Sequence, residues 1–348
     1  MARTYRLIVG RTEAGRRLDR YLAARLPADV SRRMIQRCIL GGEVTVNDQR
    51  VKAHRALRAG DVVLARCVWL PPQQGEHPPV AQPIPLSILY EDEQLLVINK
   101  PPGLVTHPAP GHWDGTLVNA VLWHLQEARG WRLEARGENR SHEPRATSHE
   151  PTLPRAGIVH RLDKGTSGLL LVAKTELARS QLSRQLMQRT VTRRYLALVE
   201  GKMPLERGTV RAAIGRHQRH RKQMTVRHVG GRSATTHYHV LRRYGPAPIA
   251  YSLVEARLET GRTHQVRVHL AHVGHPVLGD ATYGRRSPSS WAALGVTRQL
   301  LHAYELSFRH PSTGAWMTFT APLPPDMAGW LPDGAVVEPL GQREGATS

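Results

Sequence analysis

The sequence is poor in cysteine, in phenylalanine and in long hydrophobic runs. Its 348 residues include two cysteines, Cys38 and Cys67, and two phenylalanines. Two cysteines exclude a disulfide scaffold or a multi-cysteine zinc site, and they fit a reducing compartment. No apolar run approaches the roughly 18 residues that a membrane-spanning helix needs, and residues 1–12 lack the apolar core of a secretion signal. We therefore expect a cytoplasmic protein without membrane contact.

Acidic side chains are also scarce relative to basic ones. Lysine and arginine together number 49 against 28 acidic residues, so the formal net charge is +21. Such an excess predicts a polyanionic partner, above all nucleic acid, with an anionic membrane surface as the weaker alternative. Most of the positive charge is arginine, which binds phosphate in a bidentate way. A GC-rich genome would give the same arginine bias, so both explanations stay open.

The first 70 residues predict a small compact unit with two helices and two strands. A helix is expected over 16–26, and a second follows the N-cap residue Ser31. Strands are expected over 43–46 and Val62–Cys67. Three arginines of the second helix are candidate RNA contacts, although a charged helix face is often only solvated: Arg32, Arg33 and Arg37. The proline-rich segment 71–85 then predicts an extended linker.

Residues 86–325 predict an α+β domain with a mixed, largely antiparallel sheet, because the strands outnumber the helices and do not alternate with them. The predicted helices cover 116–126 and Glu176–Gln188. The predicted strands cover 87–90, 95–99, 158–162, 168–174, 195–200, Thr235–Tyr244, 252–260 and 265–269. Residues 127–155 are polar and contain Ser-His-Glu-Pro twice, which predicts a flexible insertion. Residues 326–348 are expected to form a mobile tail.

The densest chemical signal is His-Arg-Leu-Asp-Lys-Gly-Thr-Ser-Gly at 160–168. Asp163 falls on a glycine-flanked turn between two apolar runs, a placement common for catalytic residues. The neighbouring cations Arg161 and Lys164 favour an ionised, nucleophilic carboxylate. Alternatively, Asp163 only accepts hydrogen bonds from the amides of its own turn.

A second signal is Thr-Gly-Arg-Thr-His-Gln-Val-Arg-Val-His at 260–269. On the predicted strand, Arg267 shares a face with Gln265 and His269, from which it could pair with Asp163 across the sheet. Several histidines lie nearby, but their spacing matches no zinc helix or finger and no cysteine is close. We therefore expect no metal site.

Two further segments could contact RNA. Tyr195 follows a pair of arginines at the start of a predicted strand, and its ring could stack on an unpaired base or simply belong to the core. The basic run 216–222 could grip phosphates, although such a run is more often a solvated loop.

Together these segments resemble the ribosomal large-subunit pseudouridine synthase A/C/D family. The resemblance is carried by the motifs at 160–168 and 260–269, by Arg-Tyr-Leu-Ala-Leu-Val at 194–199, and by the segments 98–108 and 275–284. It covers about residues 85 to 325 and is closest to the D-type members. Residues 16–66 resemble the small RNA-binding module named after ribosomal protein S-four.

The resemblance implies a pseudouridine-synthase fold and an isomerase that converts uridines of large-subunit (23S) ribosomal RNA to pseudouridine without a cofactor. Asp163 would be the catalytic residue, and Tyr195 and Arg267 would assist it. Arg161 would fill the space left by the flipped base. Lys100, Arg262 and His264, which lie in the same motifs, are further candidate RNA contacts.

Two other functions stay open at this stage. The same isomerase could act on transfer RNA, or the chain could be a non-catalytic RNA-binding factor in ribosome assembly. The expected partner is 23S ribosomal RNA or a pre-ribosomal particle, and the expected oligomeric state is a monomer.

Overall fold

The computed structural model describes residues 3–26, 30, 32–67, 79–108, 112–135, 154–220, 223–245 and 249–332. The chain divides into two compact units, Met1–His77 and Pro78–Ser348. The boundary between them lies inside the proline-rich segment 71–85. In the part of the chain covered by these ranges, no helix is both long and apolar enough to cross a membrane.

The first unit packs two helices against a small antiparallel sheet. Its elements are β1 (Arg3–Ile8), α1 (Leu18–Arg25), α2 (Arg32–Gly41), β2 (Val44–Val46), β3 (Gln49–Arg50) and β4 (Val62–Cys67). The strands are ordered β1-β4-β2-β3. Aliphatic side chains of both helices, including Leu18, Leu22 and Ile35, pack on Val44 and Val63 of the sheet to form its core.

The second unit is built on one large sheet. Its helices are α3 (Leu117–Ala135), α4 (Glu176–Gln188), α5 (Gln265–His272), α6 (Pro288–Ala292) and α7 (Pro325–Ala328). Its strands are β5 (Ile88–Glu91), β6 (Leu95–Lys100), β7 (Ser167–Ala173), β8 (Thr192–Glu200), β9 (Arg207–Arg211), β10 (Ile214–Arg216), β11 (Met224–Val226), β12 (Thr235–Tyr244), β13 (Tyr251–Leu258), β14 (Leu301–Arg309) and β15 (Trp316–Thr320).

The large sheet runs β5-β6-β7-β14-β8-β13-β12-β9, with β15 added beside β14. Its neighbours pair antiparallel except for β7 and β14, which pair parallel. The prediction of a mixed, largely antiparallel α+β domain is confirmed. β10 and β11 form a separate two-stranded hairpin.

Hydrophobic cores lie on both faces of the sheet. Along β8, Tyr195 and Ala197 point into a cluster that also contains Val266 of α5. The alternate residues Leu196 and Leu198 point into a cluster on the opposite face. This alternation of side chains is the normal consequence of a period of two along a strand. It makes β8 a buried central strand that can present Tyr195 toward the face on which α5 lies.

The strand predicted over 265–269 is wrong, because these residues form the first part of α5. The alternating Val266, Val268 and Leu270 imitated the period of a strand. The helix is instead buried on all sides, since every residue from Gln265 to Leu270 is buried. A helix without a polar face has no helical hydrophobic period for sequence reasoning to detect.

The strand predicted over 158–162 is also wrong. Only Ile158 bridges to β7, through Val172. The ring nitrogen Nε2 of His160 accepts the backbone N–H of Leu171 at 3.1 Å. The N–H of Leu171 on β7 is thus bonded to a side chain and not to a strand backbone, so residues 159–162 form a loop beside the sheet.

The structure departs from two predictions of irregular chain. Helix α3 continues to Ala135, so residues 127–135 of the predicted insertion are helical, whereas residues 136–153 lie outside the described ranges. At the other end, α7 occupies the start of the predicted mobile tail. Met327 and Leu331 are buried against Trp291, which explains why the chain stays packed there. Residues 333–348 lie outside the described ranges.

Candidate active site

Asp163 lies on a tight turn directly before β7. Its carbonyl accepts the backbone N–H of Thr166 at 3.0 Å. On the other side of the turn, the hydroxyl of Thr106 donates to the carbonyl of Leu162 at 2.7 Å. Hydrogen bonds on both sides of Asp163 fix the direction in which its carboxylate leaves the backbone.

Lys100 supports the same turn from beneath. Its side chain is buried, and Nζ donates to the carbonyls of Pro101 at 2.7 Å, Leu104 at 3.0 Å and Lys164 at 3.3 Å. Burial lowers the pKa of Lys100 to about 7, and the nearby Arg298 adds to this. The prediction of Lys100 as a direct RNA contact does not hold, because its three donors are used inside the protein.

The turn is also held from the C-terminal part of the chain. Arg298 donates from Nη1 to the carbonyl of Gly165 at 2.9 Å, and Gln299 donates to the hydroxyl of Thr166 at 3.2 Å. Arg298 is itself fixed by a bidentate pair with Asp326 of α7, at 2.5 and 2.7 Å. The α7 segment therefore contributes to the position of the Asp163 turn.

Arg267 is the cation that faces Asp163. Its Nη1 lies 3.1 Å from Oδ2 of Asp163. Its Nε and Nη2 donate to both oxygens of the buried Asp280, at 2.6 and 2.8 Å. Asp280 and Asp163 raise the pKa of Arg267 in spite of its burial. One arginine thus bridges two carboxylates, which keeps Asp163 beside a fixed positive charge.

His264 approaches Asp163 from the other side. It has left-handed backbone dihedrals (φ 57°) immediately before α5, which turns its ring back toward the site. Burial lowers the pKa of His264 although Asp163 opposes the shift, so the imidazole is neutral at neutral pH. Nδ1 lies 2.8 Å from the hydroxyl of Tyr283, and Nε2 lies 3.8 Å from Oδ1 of Asp163. If Nδ1 accepts from Tyr283, the proton on Nε2 faces Asp163.

Tyr195 lies within electrostatic reach of the same carboxylate. Its ring is 6% exposed, and burial raises the pKa of its hydroxyl, with Arg193 lowering and Asp163 raising it. Arg161, two residues before Asp163, is exposed. The site therefore combines a buried ring, a carboxylate that is 15% exposed and a cation at the solvent side.

The remaining predicted RNA contacts are dispersed. Arg262 is half-buried beside the start of α5 and donates from Nε to the carbonyl of Ser233. Arg37 is exposed on α2 in the first unit. The side chains of Arg32 and Arg33 lie outside what the structure describes.

Sequence reasoning missed the residues that hold the site together, above all Asp280, Tyr283 and Arg298. Asp280 and Tyr283 lie in the segment 275–284, which was noted only as part of a resemblance. The sequence around Asp280 does not reveal its partner, because Arg267 lies 13 residues earlier in the chain. Throughout the described residues, no group of three metal-ligating side chains is present.

Family models match both units. Residues 94–272 match the model described as RNA pseudouridylate synthase, and residues 16–63 match the S4 domain. The first match contains Asp163, Tyr195 and Arg267, whereas Asp280 lies beyond it.

Individual proteins match over most of the chain. An uncharacterized RNA pseudouridine synthase of Bacillus subtilis (strain 168) is 42% identical, with 90% of this chain and 92% of the relative covered. The ribosomal large subunit pseudouridine synthase D of Nitrosomonas europaea is 42% identical, with 97% and 91% covered. The solved human RNA pseudouridylate synthase domain containing 4 is 24% identical, with a TM-score of 0.51 over 70% of this chain and 91% of that one. This last likeness concerns the fold alone.

Proposed function

The chain belongs to the RNA pseudouridylate synthase family, and from this premise we propose that it isomerises uridines of large-subunit (23S) ribosomal RNA to pseudouridine, with Asp163 as the catalytic residue. The observation that carries the assignment of Asp163 is its ion pair with Arg267 on a turn held from several sides. This arrangement holds the carboxylate beside a fixed positive charge and orients it, while leaving it partly accessible.

The reaction needs one bond to break and one to form. The bond between C1′ of the ribose and N1 of uracil breaks, the base turns, and a bond from C1′ to C5 forms. The proton lost from C5 is balanced by the proton that N1 gains, so no oxidant, reductant or water is consumed. An ionised Asp163 could attack C1′ or remove the proton at C2′. Both routes require the carboxylate that Arg267 stabilises.

The other site residues have roles that follow from their positions. Tyr195, buried at the wall of the site, stacks on the uracil ring and assists at C5. Arg161, exposed beside Asp163, occupies the space that the flipped nucleotide leaves in the RNA. Arg267, held by Asp280, fixes the orientation of Asp163. Neutral His264 presents an N–H toward the same carboxylate.

The substrate assignment rests on the D-type relatives, which are named as ribosomal large subunit pseudouridine synthases. The net charge of +21 and the match to the S4 domain support an RNA partner. We propose that the protein acts as a monomer in the cytoplasm, on 23S ribosomal RNA or a pre-ribosomal particle.

The test is carbodiimide-based mapping of pseudouridine in ribosomal and transfer RNA from cells with and without the gene. We expect specific large-subunit positions to be lost, to be restored by the wild-type gene, and to stay unmodified with Asp163→Asn. This variant keeps the size of the side chain and removes its charge. Its RNA affinity, measured by filter binding, should stay within about twofold of the wild type.

Other results would change the proposal in distinct ways. Loss confined to transfer RNA would keep the chemistry and overturn the substrate. Unchanged modification in every RNA would favour a binding protein that acts in ribosome assembly. Full restoration by Asp163→Asn would remove Asp163 from the chemistry.

A further inference from the structure

Two adjacent arginines on β8 have opposite surroundings. Arg194 faces the cluster behind the sheet, where its side chain lies 3.1 Å from Glu305 and 3.4 Å from Glu255. Arg193 faces the side of the sheet that carries Tyr195. Its residue is 8% exposed, and no described carboxylate lies within ion-pair distance of its guanidinium. Its Nε is buried without a hydrogen-bond partner in the described protein.

Arg193 lies against the groups that surround Asp163. Burial lowers the pKa of His160 and raises that of Tyr195, and the charge of Arg193 acts on both groups by lowering their pKa. A Cβ built on Gly261 would lie 2.7 Å from Nη1 of Arg193. The guanidinium therefore packs directly beneath the backbone of the loop that leads into α5.

A buried, unpaired guanidinium is costly for the folded protein. Removing an ion from water has an effective cost of several kcal/mol, which only a partner of opposite charge offsets. Buried polar groups without partners are rare in native structures, and each calls for a reason such as a functional role or a bound water or ion. Arg194, on the opposite face of the same strand, has such partners in Glu255 and Glu305.

A track of further cations leads away from this position. Arg262 follows Gly261 in the same loop, and its pKa is lowered by its burial and by the charges of Arg232 and Arg189. Arg232 and Arg189 are exposed. Arg189 pairs with Glu259 at 3.6 Å, whereas no described carboxylate lies within ion-pair distance of Arg262 or Arg232. These two cations therefore keep their charge available for a polyanion. Arg193 is at the buried end of this track, next to the site.

We propose that Arg193 binds a phosphate of the RNA next to the nucleotide that enters the site, with Gly261 keeping the guanidinium close to the loop backbone. The proposal rests on the proposed function and adds a binding site to it. A phosphodiester supplies the negative charge that Arg193 lacks, whereas a uracil carbonyl would leave the charge unpaired. Arg262, Arg232 and Arg189 then follow the adjoining backbone.

The first experiment measures the salt dependence of RNA binding by the full-length protein. The probes are a twelve-residue oligouridylate and a large-subunit RNA hairpin that contains a mapped uridine. For Arg193→Gln, the slope of log Kd against log salt should fall by about one for both probes. Arg193→Lys should keep the wild-type slope. The control is Arg179→Gln, which removes a surface arginine paired with Glu176 on α4 and should keep the slope.

The second experiment measures the thermal stability of the protein without RNA. Because Arg193 is unpaired, Arg193→Met should raise Tm by a few degrees. Arg194→Met should lower Tm, since it leaves Glu255 and Glu305 without their cation. If Arg193→Gln does not fold, Gly261→Ala displaces the guanidinium while keeping the charge, and it should weaken binding of both probes.

The proposal fails under two results. An unchanged slope with Arg193→Gln would show that the guanidinium contacts no phosphate, and a contact to the base would be one cause. A fall in Tm for Arg193→Met comparable to that for Arg194→Met would show a structural role. If the wild type forms no pseudouridine but Arg193→Gln still reduces the slope, the proposed function fails and the phosphate site stands.

Discussion

The turn that carries Asp163 and the hairpin β10–β11 are held in very different ways. The turn receives hydrogen bonds from Thr106, Lys100, Arg298 and Gln299, which come from distant parts of the chain. The hairpin consists of three residue pairs and has few anchors. At its base, Ile214 joins a small cluster with Ala234 and Val268. At the end next to the loop, the backbone N–H of Met224 donates to the hydroxyl of Tyr283 at 2.9 Å.

The different anchoring of the turn and the hairpin fits two different tasks, the positioning of a reacting group and the binding of RNA. A group that attacks or deprotonates a sugar must be held to a fraction of an ångström, because small displacements cost large factors in rate. If the basic side chains of the hairpin contact phosphates, they tolerate movement, since attraction between charges needs no exact alignment. Substitutions at the turn should therefore affect the rate and the folding stability. Substitutions of exposed hairpin side chains such as Arg216 should affect only RNA affinity.

The largest effect beyond Asp163 is expected for Arg267→Met. The substitution leaves Asp280 buried without its cation, which should lower the free energy of unfolding by about 3–5 kcal/mol. It should also abolish measurable isomerisation, because Asp163 loses the charge that orients it. Denaturant unfolding and single-turnover assays at saturating enzyme measure the two effects. Arg285→Met, a more exposed arginine near the same segment, should change neither, and a similar loss there would contradict the specific role of Arg267.

The next effect is expected for Lys100→Met. The carbonyls of Pro101, Leu104 and Lys164 lose their buried donor, which should lower the free energy of unfolding by about 1–3 kcal/mol near pH 7 and slow the single-turnover rate. Lys174→Met removes only the pair with Glu91 at 2.6 Å and should cost less than about 1 kcal/mol. Equal losses in the two variants would show that burial of Lys100 does not matter.

The effect of Lys100 should also depend on pH. The pKa of Lys100 is about 7 in the folded protein against 10.5 for an ordinary lysine. Between these values the unfolded chain holds the proton more tightly than the folded one, so raising the pH favours folding. The stability of the wild type relative to Lys100→Met should therefore rise from about pH 7 towards pH 10. A difference that stays flat over this range would contradict the lowered pKa.

The smallest effect is expected for Arg216→Gln on the hairpin. Arg216 is exposed, so the free energy of unfolding should change by less than about 0.5 kcal/mol. The salt slope of RNA binding should fall by about one, and the single-turnover rate at saturating enzyme should stay as in the wild type. A slower rate at saturating enzyme would show that the hairpin affects the chemical step as well as RNA binding.

Helices and strands were predicted correctly where the neighbouring residues alone determine the element. Helix α4 has the predicted bounds, and in the structure Thr175 caps its N-terminus and accepts the N–H of Ala178 at 3.1 Å. Strand β12 was predicted with its bounds as well. Helix α5 was taken for a strand because its burial is decided by the tertiary structure. β14 was missed because its hydrogen-bond partners lie far away in the sequence.

For the site, the sequence indicated Asp163, Tyr195 and Arg267 but not the groups that hold them. Arg298 and Lys100 donate to backbone carbonyls of the turn. Every residue has a backbone carbonyl, so the sequence of the turn does not indicate which side chains will bond to it. Asp280 is opposite Arg267 only because the chain turns back after α5. Contacts of this kind depend on the three-dimensional path of the chain, which periodicity and spacing do not encode.

The position of β14 also determines the order in which the enzyme is completed during synthesis. This strand lies between β7 and β8 in the sheet, although Ser167 and His302, which share a hydrogen bond at 2.9 Å, are 135 residues apart. Contacts over such separations form late in folding. A nascent chain that ends before β14 has a gap in the middle of its sheet, and it lacks Asp326, which fixes Arg298. The turn of Asp163 therefore gains its last supports only when nearly the whole domain has been translated.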